Sequence, residues 1–352
     1  MEFNKKTICP LPFMAINVDD GGYRPCCHNK NNNWKKYNTI NEYFKSNELK
    51  KLQKNLLAGI QDKSCNTCWQ AEEFGLTSLR QEASNDRLQH VSENKLIQIQ
   101  LQTGYVCNIS CMMCSPGVSS NLNQLWKNKS MFEYHSYWNA PTLRYDQTME
   151  NYIKDNKNNI KYIEAVGGES FYNKKFITLI DWLIDENVAK NITMYITSNG
   201  TMFNDIIIKK LLKFKKTVIL VSMEGVGAVN DYIRYGSKFT EIEKNFKKIT
   251  KLFHYQIAST LSALNVHRYN ELESFAKSYN SIIECKVVRS IPALLPNNCP
   301  TYLKKTIVNT HKKVTEQQSN EKLLKTFISL WDKQRQCSIL DYMPEYKQLM
   351  EI

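Results

Sequence analysis

Cys107, Cys111 and Cys114 stand in a C-x3-C-x2-C spacing that brings three thiols round one point. Thiolates are ligands of zinc and of iron–sulfur clusters. A [4Fe-4S] cube is normally held by four cysteines. A loop that offers three leaves one iron free to take a small molecule, as catalytic metal sites keep a position open where structural sites are closed. A zinc site would use C-x2-C pairs and a fourth ligand. A second group consists of Cys9 and Cys26, in a C-x11-G-x4-C pattern, and the C-x2-C pair Cys65 and Cys68. Four thiols in two pairs make a closed set, which on the residues alone suits zinc as well as a cluster. Cys27 is a spare thiol beside Cys26, an alternative ligand or a small apolar residue. Cys285, Cys299 and Cys337 belong to no motif and are expected in the core.

The elements that position these residues follow from periodicity. Ile97, Ile99 and Leu101 alternate with Gln98, Gln100 and Gln102, so Leu96–Gln102 reads as a strand with one apolar and one amide-bearing face. Thr103-Gly104 ends it and opens the cysteine loop. If the apolar side meets outer helices, the glutamines line an interior, either as a polar cavity or as a hydrogen-bonded filler layer. Further strands are expected at Ile160–Val166, Ile192–Thr197, Thr217–Met223, Gln256–Leu264 and Ile282–Val288, with helices between them such as Lys174–Glu186 and Phe239–Phe253. Strand–helix alternation is the signature of a parallel sheet. Upstream, Phe13–Val18 can pair with Tyr23–Pro25 across an Asp19-Asp20-Gly21-Gly22 turn, with Cys9 and Cys26 near the open end, and Asn41–Ala58 reads as helical. Ser115–Asn158, with Trp126, Tyr134 and Trp138, reads as a helix plus an insertion able to lid a site. Pro292–Pro300 is a loop, and Leu303–Trp331 reads as helical.

The cysteine loop resembles the cluster-binding motif of the radical S-adenosylmethionine (SAM) superfamily. That resemblance implies a (β/α)6 partial TIM barrel of six parallel strands over roughly residues 93–295, and a cluster whose open iron chelates the amino and carboxylate groups of SAM. At the carboxyl ends of the strands, where such folds place their sites, Gly167-Gly168-Glu169 resembles the family's GGE motif for the SAM amino group. Ser198-Asn199-Gly200 resembles its turn near the ribose. Ser222-Met223-Glu224-Gly225 with Arg234 is similar to its S-x-D-G block followed by an arginine; Ser222 would meet the ribose and Arg234 the SAM carboxylate, while Glu224 stands where Asp is usual. Asn265 would touch the nucleoside, and Met113 would pack softly where relatives place an aromatic against adenine. The N-terminal thiols are similar to the twitch domain, the half-size relative of the SPASM domain, which implies a second, auxiliary [4Fe-4S] cluster at Cys9, Cys26, Cys65 and Cys68. Three segments are therefore expected: residues 1–90 as a cysteine-rich twitch-like domain, 91–300 as the barrel, and 301–352 as a C-terminal helical extension.

The chain has 352 residues, eleven cysteines and a formal net charge of +13. The clustered, odd cysteine count points to metal binding rather than disulfides. With no apolar signal core in MEFNKKTICPLPF and no membrane-spanning run, a cytoplasmic location is expected. The charge favours anionic partners, although lysines in Lys30–Lys36 and Lys154–Lys161 read as solvated faces. The resemblance, taken with these features, implies a radical SAM enzyme that would cleave SAM to a 5'-deoxyadenosyl radical and take a hydrogen from a peptide or polyhydroxylated small molecule, with the auxiliary cluster assisting. The resemblance also implies an external one-electron donor such as flavodoxin or ferredoxin. The catalytic acid or base is not readable. RNA modification by the same chemistry is possible but not favoured, and a non-catalytic, zinc-stapled binding module is the reading from a different class.

Overall fold

Alternation of apolar and polar residues decides which side of each strand is covered. The computed structural model describes residues 6–351 apart from 20–21, 30, 32–33, 35, 74, 76, 94, 127–146 and 289–290. Its strands are β1 (Ala15–Asp19), β2 (Gly22–Arg24), β3 (Gln98–Gln102), β4 (Ser110–Cys111), β5 (Tyr162–Val166), β6 (Thr193–Ser198), β7 (Lys216–Ser222), β8 (Arg234–Tyr235), β9 (His254–Leu261) and β10 (Ile283–Val287). Eight of them form one sheet in the order β10, β9, β7, β6, β5, β3, β1, β2, while β4 and β8 form a separate ladder. From β3 to β10 the neighbours run parallel. This is the expected α/β class, a mostly parallel sheet with surrounding helices.

One face of the sheet is sealed. Ile99, Leu101, Ile163, Ala165, Met194, Ile196, Ile219, Val221 and Ile257 are fully buried, each large side chain contributing about 1.5–3 kcal/mol of apolar burial. The helices Lys174–Asp185 and Phe239–Leu252 bury Phe176, Leu179, Ile180 and Leu183, and Phe239, Ile242, Phe246 and Ile249, respectively. Asn173 starts the first of these by accepting from the Lys175 and Phe176 N–H groups. By register the opposite face carries Gln100, Gln102, Glu164, Tyr195, Thr197, Ser222, Gln256 and Thr260, all half-buried.

Several expectations change. The N-terminal hairpin does not stand apart, because β1 pairs in parallel with β3, Ala15 opposite Gln98 through Val18 opposite Leu101, and so extends the main sheet. The helix expected over Asn41–Ala58 is two, Ile40–Lys45 and Asn47–Leu57, broken at Ser46, whose extended backbone and hydroxyl cap the second. The C-terminal helix is Glu321–Arg335, started by Asn320 accepting from the Leu323 N–H, with Leu303–Asn320 in short turns. The glutamine layer is filled at its lower end. Gln98 Nε2 and Gln100 Nε2 donate to the two Glu164 oxygens at 2.7 and 2.8 Å. Arg87 Nη1 donates to Gln98 Oε1 at 2.9 Å and to Glu164 Oε1 at 3.2 Å. After Cys114 the chain forms the helices Ser120–Leu125 and Gln147–Asp155. The expected lid with Tyr134 and Trp138, Asp20-Gly21 of the hairpin turn, and part of Lys30–Lys36 lie outside the described residues. Among the described residues no helix is long and apolar enough to cross a membrane.

Candidate metal and SAM site

The cysteine loop leaves β3 at Gln102 and is tied down along its length. The Thr103 N–H donates to Val166 O at 2.8 Å, continuing the ladder with β5. Ser120 Oγ accepts from the Cys107 N–H at 3.1 Å and donates to Cys107 O at 3.2 Å. Ser119 Oγ donates to Ile109 O and caps the helix Ser120–Leu125. In β4, Ser110 and Cys111 pair antiparallel with Tyr235 and Arg234 of β8, and the Met112 N–H donates to Ile233 O at 2.9 Å. The loop is thereby docked on the segment that carries Arg234.

Cys107 and Cys111 are buried and Cys114 is half-buried. Burial, first, and then the neighbouring thiols push Cys111 up to about 11 and Cys114 higher still. Burial also raises Cys107. The free thiols are therefore protonated, and a metal entering here must expel their protons. Asn199 Nδ2 lies 4.0 Å from Cys107 Sγ, a weak donor toward sulfur. Met113 packs against the group formed by Cys107, Ile109 and Cys111.

The strand-end residues gather round this loop. Gly167 has φ +97°, and a Cβ on Gly168 would collide with the Val106 carbonyl, so glycine is required for the two loops to touch. The Glu169 N–H donates to Val106 O at 2.8 Å. The Glu169 side chain, expected to meet the SAM amino group, is 1% exposed and already accepts from Ser198 Oγ (3.0 Å), the Asn199 N–H (2.6 Å) and the Phe171 N–H (3.4 Å). It latches β5 to β6. Burial raises its carboxyl to about 7 against those donors. Asn265, expected to touch the nucleoside, is likewise engaged within the protein. Its Nδ2 donates to Glu224 O and Thr260 O, and its Oδ1 accepts from the Ser262 N–H, so its amide closes a turn. Ser222 ends β7 half-buried on the polar face. The Asn199 side chain, between Asn108 and Thr201, holds the cysteine loop to the end of β6.

Arg234 and Glu224 form a buried pair, Nη1 to Oε1 at 3.0 Å. Glu224 Oε2 accepts from the Thr260 N–H at 2.6 Å, which anchors the pair to β9. Among the described residues Arg234 Nε has no hydrogen-bond partner, and its charge bears on Cys111 and Cys107. An unpaired buried N–H on a cation beside three thiols suits an anionic ligand group, which is where the SAM carboxylate would fit. Reading the sequence missed Arg335, whose Nη1 donates to Tyr232 O at 2.9 Å and whose Nη2 donates to Ser110 O. Its local spacing carries no signal, since the contact with Ser110 spans 225 residues.

Cys9, Cys26, Cys65 and Cys68 line one small pocket with Leu11, Trp69 and Arg80. Burial leads in raising these thiols, Cys65 to about 12. Asn29 Nδ2 approaches Cys65 Sγ at 3.8 Å, and Trp34 Nε1 holds the Asn29 Oδ1 at 2.6 Å. Arg80 donates to Glu72 and to Ile8 O, bracing the pocket wall. Cys27 is exposed and does not line it. Cys299 is fully buried in the core, and Cys285 and Cys337 pack against it. Among the described residues no three His, Cys, Asp or Glu side chains are drawn close enough to hold a metal ion. The thiols of each group nevertheless share one location and supply the donor chemistry that a cluster requires.

The family model described as the Radical SAM superfamily matches residues 101–279. No curated protein matches the chain. Among solved structures, native anSMEcpe with bound AdoMet is similar at 16% identity and TM-score 0.44, over 67% of this chain and 60% of that one. Streptococcus suis SuiB bound to precursor peptide SuiA is similar at 12% identity and TM-score 0.43, over 79% of this chain and 67% of that one. The chain thus spans about three fifths of the length of anSMEcpe.

Proposed function

The chain belongs to the radical SAM superfamily, and from that premise we propose that Cys107, Cys111 and Cys114 hold a [4Fe-4S] cluster whose fourth iron takes SAM. When bound, that cluster supplies the electron that cleaves SAM to methionine and a 5'-deoxyadenosyl radical able to take a hydrogen atom from a substrate. The protein's own residues bind, orient and shield. Arg234, held by Glu224, offers its free N–H to the SAM carboxylate. Gly167 and Gly168 give SAM close access to backbone at the end of β5, Ser222 meets the ribose, and Met113 packs against adenine. Glu169, Ser198 and Asn199 serve by holding the strand ends and the cysteine loop in one arrangement. The observation that carries this reading is the docking of the three-thiol loop on β8, which sets the unpaired Arg234 Nε beside the thiols.

The polar face of the sheet supports the choice of substrate class. Gln102, Thr197, Ser222 and Thr260 offer amide and hydroxyl groups toward the strand ends, which suits a peptide or a polyhydroxylated small molecule rather than a hydrocarbon. Residues 1–90 would carry the second [4Fe-4S] cluster on Cys9, Cys26, Cys65 and Cys68, residues 91–300 the barrel, and 301–352 the extension. An acidic one-electron donor such as flavodoxin or ferredoxin suits the net charge of +13. The same charge supports RNA modification as a second reading, for which a salt-dependent RNA mobility shift is the expected sign.

The test is anaerobic reconstitution with iron and sulfide, followed by SAM and dithionite, on the parent and on a Cys107→Ala, Cys111→Ala, Cys114→Ala variant. The expected result is about eight irons in the parent and about four in the variant, with 5'-deoxyadenosine from the parent alone. A colourless, zinc-loaded parent that leaves SAM intact would return the chain to the class of metal-stapled binding modules.

A further inference from the structure

Arg335 ends the C-terminal helix, beyond the residues that the family model matches, and no role given above to the thiols or to SAM recognition uses it. Its side chain is buried, and its guanidinium lies 4.1 Å from the Trp331 ring centroid and 4.6 Å from that of Tyr235. Nη1 donates to Tyr232 O and Nη2 to Ser110 O. Ser110 lies in β4 and Tyr232 in the helix Ala228–Ile233 that leads into β8, so one planar fork bridges the cysteine loop and the segment bearing Arg234. Arginine is suited to this because its donors are fixed in a plane that also stacks on aromatic rings.

Its charge is the second point. Arg234 has the Glu224 carboxylate beside it, whereas among the described residues no hydrogen bond of Arg335 goes to a carboxylate, and its Nε has no partner. Asp332, one turn back on the same helix, spends its hydrogen bonds on the Tyr232 hydroxyl and the Ile339 N–H but stays within the electrostatic reach of Arg335. The helix terminus offsets part of the charge, but arginine does not shed its proton and a buried cation requires compensation. Asp332 supplies part of it, and Arg335 also lies close enough to Cys111, whose neighbour Ser110 it holds, to act on that sulfur electrostatically.

We infer that Arg335 is a positioning residue for the three-cysteine site. Its fork holds Ser110 and Tyr232 together, and its positive charge beside Cys111 favours the one-electron-reduced form of the group ligated there, the electron coming from the external donor. The inference rests on the iron–sulfur reading of that loop.

The experiment compares the full-length parent with Arg335→Gln and Arg335→Lys. First, the potential of the SAM-sensitive signal is titrated in reconstituted protein by electron paramagnetic resonance. Arg335→Gln is expected to be about tenfold harder to reduce at the parent midpoint, about 59 mV for one electron, and Arg335→Lys to stay near the parent. Second, amide exchange at Ser110–Met112 is followed in metal-free protein. It is expected to quicken by about tenfold in Arg335→Lys, which keeps the charge and loses the fork, as for one lost charged hydrogen bond. Equal potentials in parent and Arg335→Gln, or unchanged exchange in Arg335→Lys, would overturn the inference. Should Arg335→Gln not fold, the Lys variant decides alone: parent-like potential with faster exchange supports the inference, and parent-like exchange refutes it. A parent that takes no iron on the loop defeats the functional reading instead, and the exchange comparison still tests the clamp.

Discussion

Glu169 is enclosed by three donors, yet burial outweighs them and holds its carboxyl at about 7, above the ordinary 4.5. A raised acid favours the folded state while it is neutral. That contribution is complete below about pH 4.5 and is lost as the pH rises through about 7. Glu169→Gln has no such titration, so the stability difference between parent and variant should narrow by about 1–3 kcal/mol between pH 4.5 and 7.5. Denaturant melts at the two pH values check this, and parallel profiles would mean that the carboxyl titrates normally. Arg234 and Glu224 give a second test at this scale. If Glu224 aims Arg234 at the SAM carboxylate, Glu224→Gln should weaken SAM binding by about tenfold, as expected for loosening a charge-assisted pair, while iron content holds. Calorimetric titration with SAM reads it, and unchanged affinity would leave the pair a purely structural one.

At the level of elements, the contact between the Gly167-Gly168 turn and the cysteine loop is steric. A methyl at Gly168 has the Val106 backbone in its way, so Gly168→Ala should cost about 1–3 kcal/mol, as overpacking does, and release iron from the loop. A melting temperature and iron content equal to the parent would show that the turn has slack. Most of the strands could be read in advance because each has one sealed face, and a one-residue slip would expose Ile196 or Val221. Their observed ends differ from the expected ones by a few residues at most, the largest shift being at β9, which ends at Leu261 rather than Leu264. The break at Ser46 has no local sequence signal, because a serine within a periodic apolar stretch caps a helix only if the chain turns there. The late start of the C-terminal helix has a similar cause at Asn320.

Across the whole molecule, the long-range pairings were the part sequence alone could not supply. Nothing local tells Ala15–Val18 to lie parallel to Gln98–Leu101, and nothing near Arg335 points to Ser110. The four-thiol pocket was legible as a group but not as a neighbour of the main sheet. Because β1 is a strand of that sheet and Cys9 lies just before it, Cys65→Ala with Cys68→Ala should remove about four irons and also lower the melting temperature of the barrel, while SAM cleavage under dithionite persists. Loss of cleavage with iron retained on the loop would mean that the second site is needed for SAM chemistry. On this proposal the loop of Cys107, Cys111 and Cys114 leaves one iron open and SAM occupies it. The most direct measurement is the electron paramagnetic resonance spectrum of the dithionite-reduced, reconstituted protein with and without SAM. The expected result is a change in the g-values of one of two signals on adding SAM, absent from the triple cysteine variant. A spectrum that SAM leaves unaltered, in protein with iron on the loop, would contradict it.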